Sequence, residues 1–311
     1  MAVPVTPASL FLALVLLPGC DGPAAQALRL ADTAGVRAEV DSVMRQHFAA
    51  FGRGDIESWS GILADSVFFT AADPANVFDN RDSVSAVMKR DLDRVAQSGI
   101  TLAVRPSTSH IWVTGDGLTA GATSELDYSA TYQARTFQYR LRSSYLLERD
   151  VTGWKVLAAQ YSRPISYDSL FMSLVQHRVS NTVPTGGQAS PALDTVVRQF
   201  RSDIRDISRA TIAPQVTVLT PGSLATGREA AKRELAEWLG PVGSATEQGT
   251  GLRAGVTRSG AVAWIATNVS VPVFAGPERA VAPMRAFFVY RRAGTRWELA
   301  QASLSVGMKE R

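Results

Sequence analysis

At 311 residues, with 46% hydrophobic residues and an even mix of charges, the chain has the size and composition of two ordinary globular domains. One cysteine excludes an internal disulfide, and with three scattered histidines it gives no metal-ligand spacing, so no metal and no cofactor are expected. The net charge of +4 is unevenly held. Leu28 to Ile165 carries 15 basic and 16 acidic residues and Ser190 to Arg311 carries 16 and 10, without the arginine–aromatic interleaving of a nucleic-acid binder.

Leu10 to Leu17 is an apolar run of signal-peptide length, followed by Leu17-Pro18-Gly19-Cys20. It resembles a bacterial lipoprotein signal, which implies acylation of Cys20 and a membrane-anchored lipoprotein of the cell envelope. Pro18 and the lack of Lys or Arg before the run depart from that pattern. The alternative is a secreted or periplasmic protein, cleaved after Ala27 at the Ala25-Gln26-Ala27 site. Residues 1–27 are therefore assigned to signal and tether, and the Ala- and Pro-rich stretch from Asp21 to Ala34 reads as flexible.

From Ala34 to Phe51, Val36, Val40, Val43, Met44, His47, Phe48 and Phe51 form one apolar helical stripe. Asp55 caps a second helix that buries Ile56, Trp59, Ile62 and Leu63, and Asp65 falls in the turn that ends it. Val67 to Phe69 is a short strand, and Asn80 or Asp82 starts a third helix. After Gly99 the period becomes two, giving strands near Ile100–Arg105, Ser109–Thr114, Leu118–Ala130, Thr136–Arg149 and Trp154–Ser162. Helices followed by antiparallel strands make an α+β domain. Parity places Leu118, Ala120, Ala122, Ser124, Leu126 and Tyr128 on the inner face, and Glu125 and Asp127 facing solvent.

The ordered motifs Gly54-Asp55-Ile56, Trp59, Asp65-Ser66-Val67-Phe68-Phe69, Asn80-Arg81-Asp82, Gly115-Asp116-Gly117, Gly153-Trp154-Lys155-Val156 and Gln160-Tyr161-Ser162 resemble the SnoaL-like branch of the nuclear-transport-factor-2-like superfamily. The resemblance implies helices packed on a curved antiparallel sheet that forms a cone with a pocket. Relatives include isomerases, dehydratases, cyclases and non-catalytic binders. Many carry a histidine two residues before the last strand's serine. Here Gln160 stands there, which counts against a histidine mechanism.

Tyr167, Leu170, Phe171, Leu174 and Val175 give residues 166–190 an amphipathic helix, capped by Ser166 or Asp168, before a Pro- and Gly-rich linker. Two roles are open for the helix, closing a pocket mouth or filling a surface groove. The pattern then repeats, so the chain divides into a first domain at 34–165 and a second at 191–308. Without a gap, Arg142, Arg149, Trp154 and Ser162 fall on Arg285, Arg292, Trp297 and Ser305. The two tryptophans are expected to anchor the closing strands. The two arginines fall on outer faces, where a contact between the sheets of an intrachain pseudo-dimer is expected.

Candidate catalytic residues in the first pocket are His47, His110, Tyr128 and Tyr145, with Trp59, Tyr128, Tyr139 and Tyr145 as ligand-lining residues. The second domain has no histidine and an apolar interior. The expected function is non-catalytic binding of a small apolar molecule or an envelope protein. An isomerase-, dehydratase- or cyclase-type enzyme, and a structural assembly module, are the alternatives.

Overall fold

The computed structural model describes residues 23–73, 76–176, 179 and 191–307. The apolar run, Cys20 and most of the linker lie outside them. Within them α1 spans Pro23–Gly52. The stretch read as a flexible tether is helical from Pro23 on, because its alanines and leucines are strong helix formers. The side chains of Asp55, Asn80 and Ser166 each accept a backbone hydrogen bond from three residues on, and so open α2 (Ile56–Ser60), α3 (Arg81–Gln97) and α4 (Tyr167–Val175). No described helix is long and apolar enough to cross a membrane.

The first sheet contains β1 (Leu63–Thr70), β2 (Val77–Phe78), β3 (Thr101–Val113), β4 (Thr119–Tyr132), β5 (Arg135–Asp150) and β6 (Gly153–Ser162), in the order β2-β1-β6-β5-β4-β3. Asp65 lies within β1, not in a turn, and pairs with Arg81 at 2.9 Å. The two strands expected between Ile100 and Thr114 are one strand, β3, bulged between Pro106 and Thr108. A second bulge lies in β6, where Ala158 and Val156 pair with Leu146 and Leu147 and leave Leu157 over. Bulges bend strands and increase twist, which is what curls this sheet around its helices.

The second copy follows the same plan. It contains α5 (Pro191–Arg205), a 3-10 turn at Ile207–Arg209, β7 (Ile212–Leu219), β8 (Leu224–Thr226), α6 (Arg228–Leu239), β9 (Thr246–Val256), β10 (Val262–Ala275), β11 (Glu278–Ala293) and β12 (Arg296–Ser305). Its sheet order, β8-β7-β12-β11-β10-β9, repeats the first.

Three apolar clusters form the interior. One fills the concave side of the first sheet and contains Ala120, Ala122, Leu126 and Tyr128, as parity predicts, and Trp154. Leu118 is an exception, exposed in the turn before β4. A second fills the other cone, with Trp297 packed against its edge. The third lies between the convex faces and includes Phe68, Trp112 and Leu146 of one copy with Trp264, Phe287 and Val289 of the other. The copies therefore pack back to back.

Arg142 and Arg285 both lie at that joint. Arg142 donates to the carbonyls of Thr220 and Pro221 at 2.7 and 3.1 Å, and its Nε donates to Glu125 at 3.0 Å. Arg285 donates to the carbonyls of Ala71 and Asp73 at 2.6 and 3.0 Å. Each arginine thus enters the turn after the first strand of the opposite copy. Glu125 lies on the convex face as predicted, but it meets Arg142 in this joint and not open solvent; Asp127 is exposed and pairs with Arg140.

Candidate functional site

The stripe of α1 carries His47 into the first cone, where α2 brings the Trp59 carbonyl and β5 brings Tyr145. His47 Nδ1 lies 2.8 Å from the Trp59 carbonyl oxygen and Nε2 lies 3.0 Å from the Tyr145 hydroxyl. A carbonyl only accepts, so the proton sits on Nδ1 and Nε2 is the acceptor. The Tyr145 hydroxyl proton is thereby given to His47. Tyr145 in turn accepts from Tyr161, with which it makes a very short contact. One chain of donors runs from Tyr161 through Tyr145 and His47 to Trp59. Burial, only partly opposed by the Trp59 carbonyl, lowers the imidazole from 6.5 to about 4, so the ring is neutral. Burial also raises Tyr128, Tyr145 and Tyr161 well above 10, which keeps all three protonated.

In front of Tyr161 lies a cavity of about 230 Å³. Trp59, Phe69, Leu141 and Tyr139 wall it, Met88 and Leu92 of α3 roof it, and Tyr128 and Tyr161 supply hydroxyls. Asp91 stands in the same wall, within 3.8 Å of Arg90 and 3.6 Å of Arg94. Tyr139 is half exposed and stacks on Tyr128 with ring centres 5.0 Å apart. Tyr161 oxygen has spent its proton on Tyr145 and can only accept from a ligand. The Tyr128 hydroxyl, which has no hydrogen-bond partner among the described residues, can give or accept.

The structure separates the sequence candidates. Trp59, Tyr128 and Tyr139 line the cavity. Tyr145 is fully buried one step behind the wall, and His47, 2% exposed, lies one step further. His110 is outside the cone: it shares the convex face of β3 with Trp112 and borders a cleft between the copies. Strict alternation from Trp154 puts Tyr161 on the convex face, so sequence reasoning missed it. The bulge at Leu157 turns it inward. No local signal marked the bulge, because strands buried on both faces carry adjacent apolar pairs throughout, Phe68-Phe69 and Leu146-Leu147 among them. The same bulge turns Gln160 outward, where its Nε2 donates to Ser303 and Ser305 hydroxyls at 3.0 Å. Glutamine at that position therefore says nothing about chemistry in the cone.

The second cone carries no such relay. At the repeat offsets His47, Tyr145 and Tyr161 become Phe200, Phe288 and Leu304. Phe200 and Phe288 keep an edge-to-face contact at 5.1 Å, close to the 5.6 Å of His47 and Tyr145. The wall residues Tyr128, Tyr139 and Leu141 become Val271, Ala282 and Met284. These are fully buried in one cluster with Leu170 and Phe171 of α4. The linker helix thus packs into the second copy at the place where the first has its cavity. Tyr167 fixes it further, its hydroxyl accepting from the Phe274 N–H at 2.8 Å. The cone is not wholly apolar: Asp203 of α5, 2% exposed, accepts from Tyr290 at 2.9 Å and Gln199 at 2.8 Å. Burial raises its carboxyl to about 6 despite both bonds.

The chain is similar to several solved structures. An NTF2-like protein with a cystatin-like fold from Novosphingobium aromaticivorans shares 16% identity over 47% of this chain and 92% of its own, with a TM-score of 0.39. A putative dehydratase of the NTF2-like family from Streptomyces avermitilis shares 17% over 43% and 99%, with a TM-score of 0.38. A putative aromatic ring hydroxylase from Novosphingobium aromaticivorans shares 13% over 43% and 92%, with a TM-score of 0.35. No curated protein matches the chain. The family described as SnoaL-like domain matches residues 40–166 and again residues 194–309, so the chain belongs to the SnoaL-like domain family and holds two copies of it.

Proposed function

We propose that the first copy binds a small, mostly apolar molecule that carries a hydrogen-bond donor such as a hydroxyl, and that it does so without chemistry. The observation that supports this most is the cavity of about 230 Å³ in front of Tyr161. A cavity of about 150 Å³ holds benzene, so this one suits one or two rings. Its wall is apolar and aromatic, as small-molecule sites usually are. The Tyr161 oxygen in its wall is an acceptor because the Trp59 carbonyl fixes the tautomer of His47 and so the direction of the chain. A ligand hydroxyl completes the chain, whereas a ketone oxygen would face the Tyr161 lone pairs. The apolar run before Cys20 supports export and a lipid anchor, which would hold this pocket near a membrane surface.

The test is calorimetry with matched ring compounds that differ by one hydroxyl. Tyr161→Phe is expected to weaken the hydroxyl-bearing compound by about tenfold and leave its hydroxyl-free twin unchanged. Equal affinities of the native chain for both compounds would overturn the reading.

One observation favours the enzyme alternative: the tyrosine relay joins the cavity wall to a histidine. Proton uptake along it requires an imidazolium in a site that holds its pKa near 4, about 4 kcal/mol uphill at pH 7. Under that alternative, His47→Gln abolishes turnover of a bound compound that the native chain converts.

A further inference from the structure

The concave face of the first sheet does not end at the cavity. Side chains alternate along a strand, so Tyr145, Ser143, Leu141, Tyr139 and Phe137 of β5 share that face. Their exposure rises in that order toward the turn. Tyr145 and Ser143 are fully buried, Leu141 is partly buried, and Tyr139 and Phe137 are 46% and 61% exposed. In the ladder Tyr161 stands opposite Ser143, Tyr128 stands opposite Tyr139, and Leu102 and Ala130 share a row with Phe137. Tyr161, Leu141, Tyr128, Tyr139 and Leu102 line the cavity, and Phe137 lies just beyond it. The cavity thus opens onto an apolar row that continues it toward solvent. From the row of Tyr161 to that of Phe137 is about 20 Å along β5.

In the second copy the same row is covered. At the repeat offset Tyr139, Phe137 and Ala130 become Ala282, Ala280 and Val273, which pack with Leu170 and Phe171 of α4. The first copy carries two half-open aromatic rings there instead, and its roof differs too. α3 has 17 residues against 12 in α6, with Arg81 and Arg228 as their first residues. The extra length brings Val95 to the cavity, whereas α6 has ended by then and its Trp238 meets Tyr167 of α4. Part of the space that a helix takes in the second copy is therefore already filled in the first, and what remains suits a slim chain. Polar groups fix one end of such a chain. The Tyr161 oxygen only accepts, and Tyr128, 6% exposed, lines the cavity with a hydroxyl that has no hydrogen-bond partner among the described residues. A buried hydroxyl left unpaired is costly, and a polar ligand head relieves that cost. The row of rising exposure gives the rest of the ligand its way out, past Tyr139 to Phe137. We propose that the ligand of the first cone is a long-chain amphiphile, with a hydroxyl-bearing head such as a phenol ring in the cavity and an alkyl chain laid on Tyr139 and Phe137. This rests on the pocket reading above and adds a chain subsite to it, in which Phe137 selects for chain length.

Equilibrium dialysis of the full chain against para-ethyl-, para-butyl-, para-hexyl- and para-octylphenol tests this. Full burial of a methylene is worth about fourfold in affinity, and a chain lying on an open face buries about half of itself, so about twofold per added methylene is expected. Phe137→Ser should flatten the upper part of the series and weaken para-octylphenol by about fivefold or more. Phe137→Leu, which keeps an apolar surface, should retain the rise. Phe137 is mostly exposed, so both variants should fold as the native chain does. Tyr161→Phe should lower every member by about tenfold and keep the slope, which separates head from chain. If no member binds, the pocket reading and the chain subsite fall together. A flat series in the native chain, or an unchanged slope in Phe137→Ser, overturns the chain subsite alone. Sedimentation is the last check: a native dimer that Phe137→Ser dissociates would give this face to a second copy of the chain and overturn the proposal.

Discussion

Two strongly displaced titrations fall between pH 3 and 7, those of His47 and Asp203, and they oppose each other. His47 is held near 4 when folded, against 6.5 when free, so its contribution to stability is present above pH 6.5 and is lost as pH falls toward 4. Asp203 is held near 6 against 3.8, so its contribution is present below pH 3.8 and is lost as pH rises through 6. Each is worth about 3 kcal/mol over its window, with opposite sign. Between pH 4 and 6 the two therefore nearly cancel, and native stability should vary little from these groups. His47→Gln should leave a chain that loses stability from pH 4 to 6, and Asp203→Asn one that gains it. Urea midpoints at pH 4, 5 and 6 for the three chains read this directly. Parallel profiles would show that neither group is held as the geometry requires. His47 was legible in the sequence as an apolar-stripe residue, but its role depends on contacts with residues 12 and 98 positions away that no local pattern reveals. Asp203 was not singled out, because a lone acid on a helix reads as surface until its tyrosine partner from β11 is seen.

At the scale of elements, caps, helices and the repeat were readable because each is a local pattern: a side-chain oxygen three residues before a backbone N–H, or a period of 3.6. The bulges were not, since they are relations between two strands, and one of them decides which of Gln160 and Tyr161 enters the pocket. A related exchange lies in the joint. Trp112 of β3 stands opposite Gly121 of β4, whereas in the second copy Gly255 of β9 stands opposite Trp264 of β10. A Cβ on either glycine would collide with its tryptophan, so ring and gap have swapped strands while the packing is kept. The linker helix is the element whose role changed most. Its two open roles were a lid or a groove filler; Leu170 and Phe171 instead complete the second core. Phe171→Ala should therefore cost about 3 kcal/mol or more, where a surface groove contact would cost under about 1 kcal/mol. The vacated space should also bind a small aromatic such as indole. Thermal melts of variant and native chain with and without indole check both points, and the variant is expected to gain more from it.

For the whole molecule, the joint holds the two copies through polar groups that the repeat has not kept equal. Arg142 has a carboxylate beside it, Glu125, and uses its Nε and both terminal nitrogens. At the repeat offset Glu125 becomes Asn268, directly across from Arg285 in the ladder. There the Arg285 Nε and the Asn268 side-chain oxygen are both buried without a partner. Burial accordingly lowers the Arg285 guanidinium to about 10, only partly offset by Asp73, yet it remains charged at neutral pH. The two arginines occupy like positions with unlike balances. Removing Arg142 strands the Glu125 carboxylate and the Thr220 and Pro221 carbonyls, and should cost about 3–5 kcal/mol. Removing Arg285 takes away a charge that was poorly matched from the start and leaves behind two carbonyls and the partly exposed Asp73 carboxylate, which water can solvate, so it should cost about 1–2 kcal/mol. Arg142→Met and Arg285→Met, compared by urea unfolding, are expected to differ by at least about 1 kcal/mol in that order. Adding Glu125→Gln should recover part of the first loss, because the stranded charge is then gone. Equal costs for the two variants would mean that the joint is held by its apolar cluster alone, with the arginines indifferent to their partners.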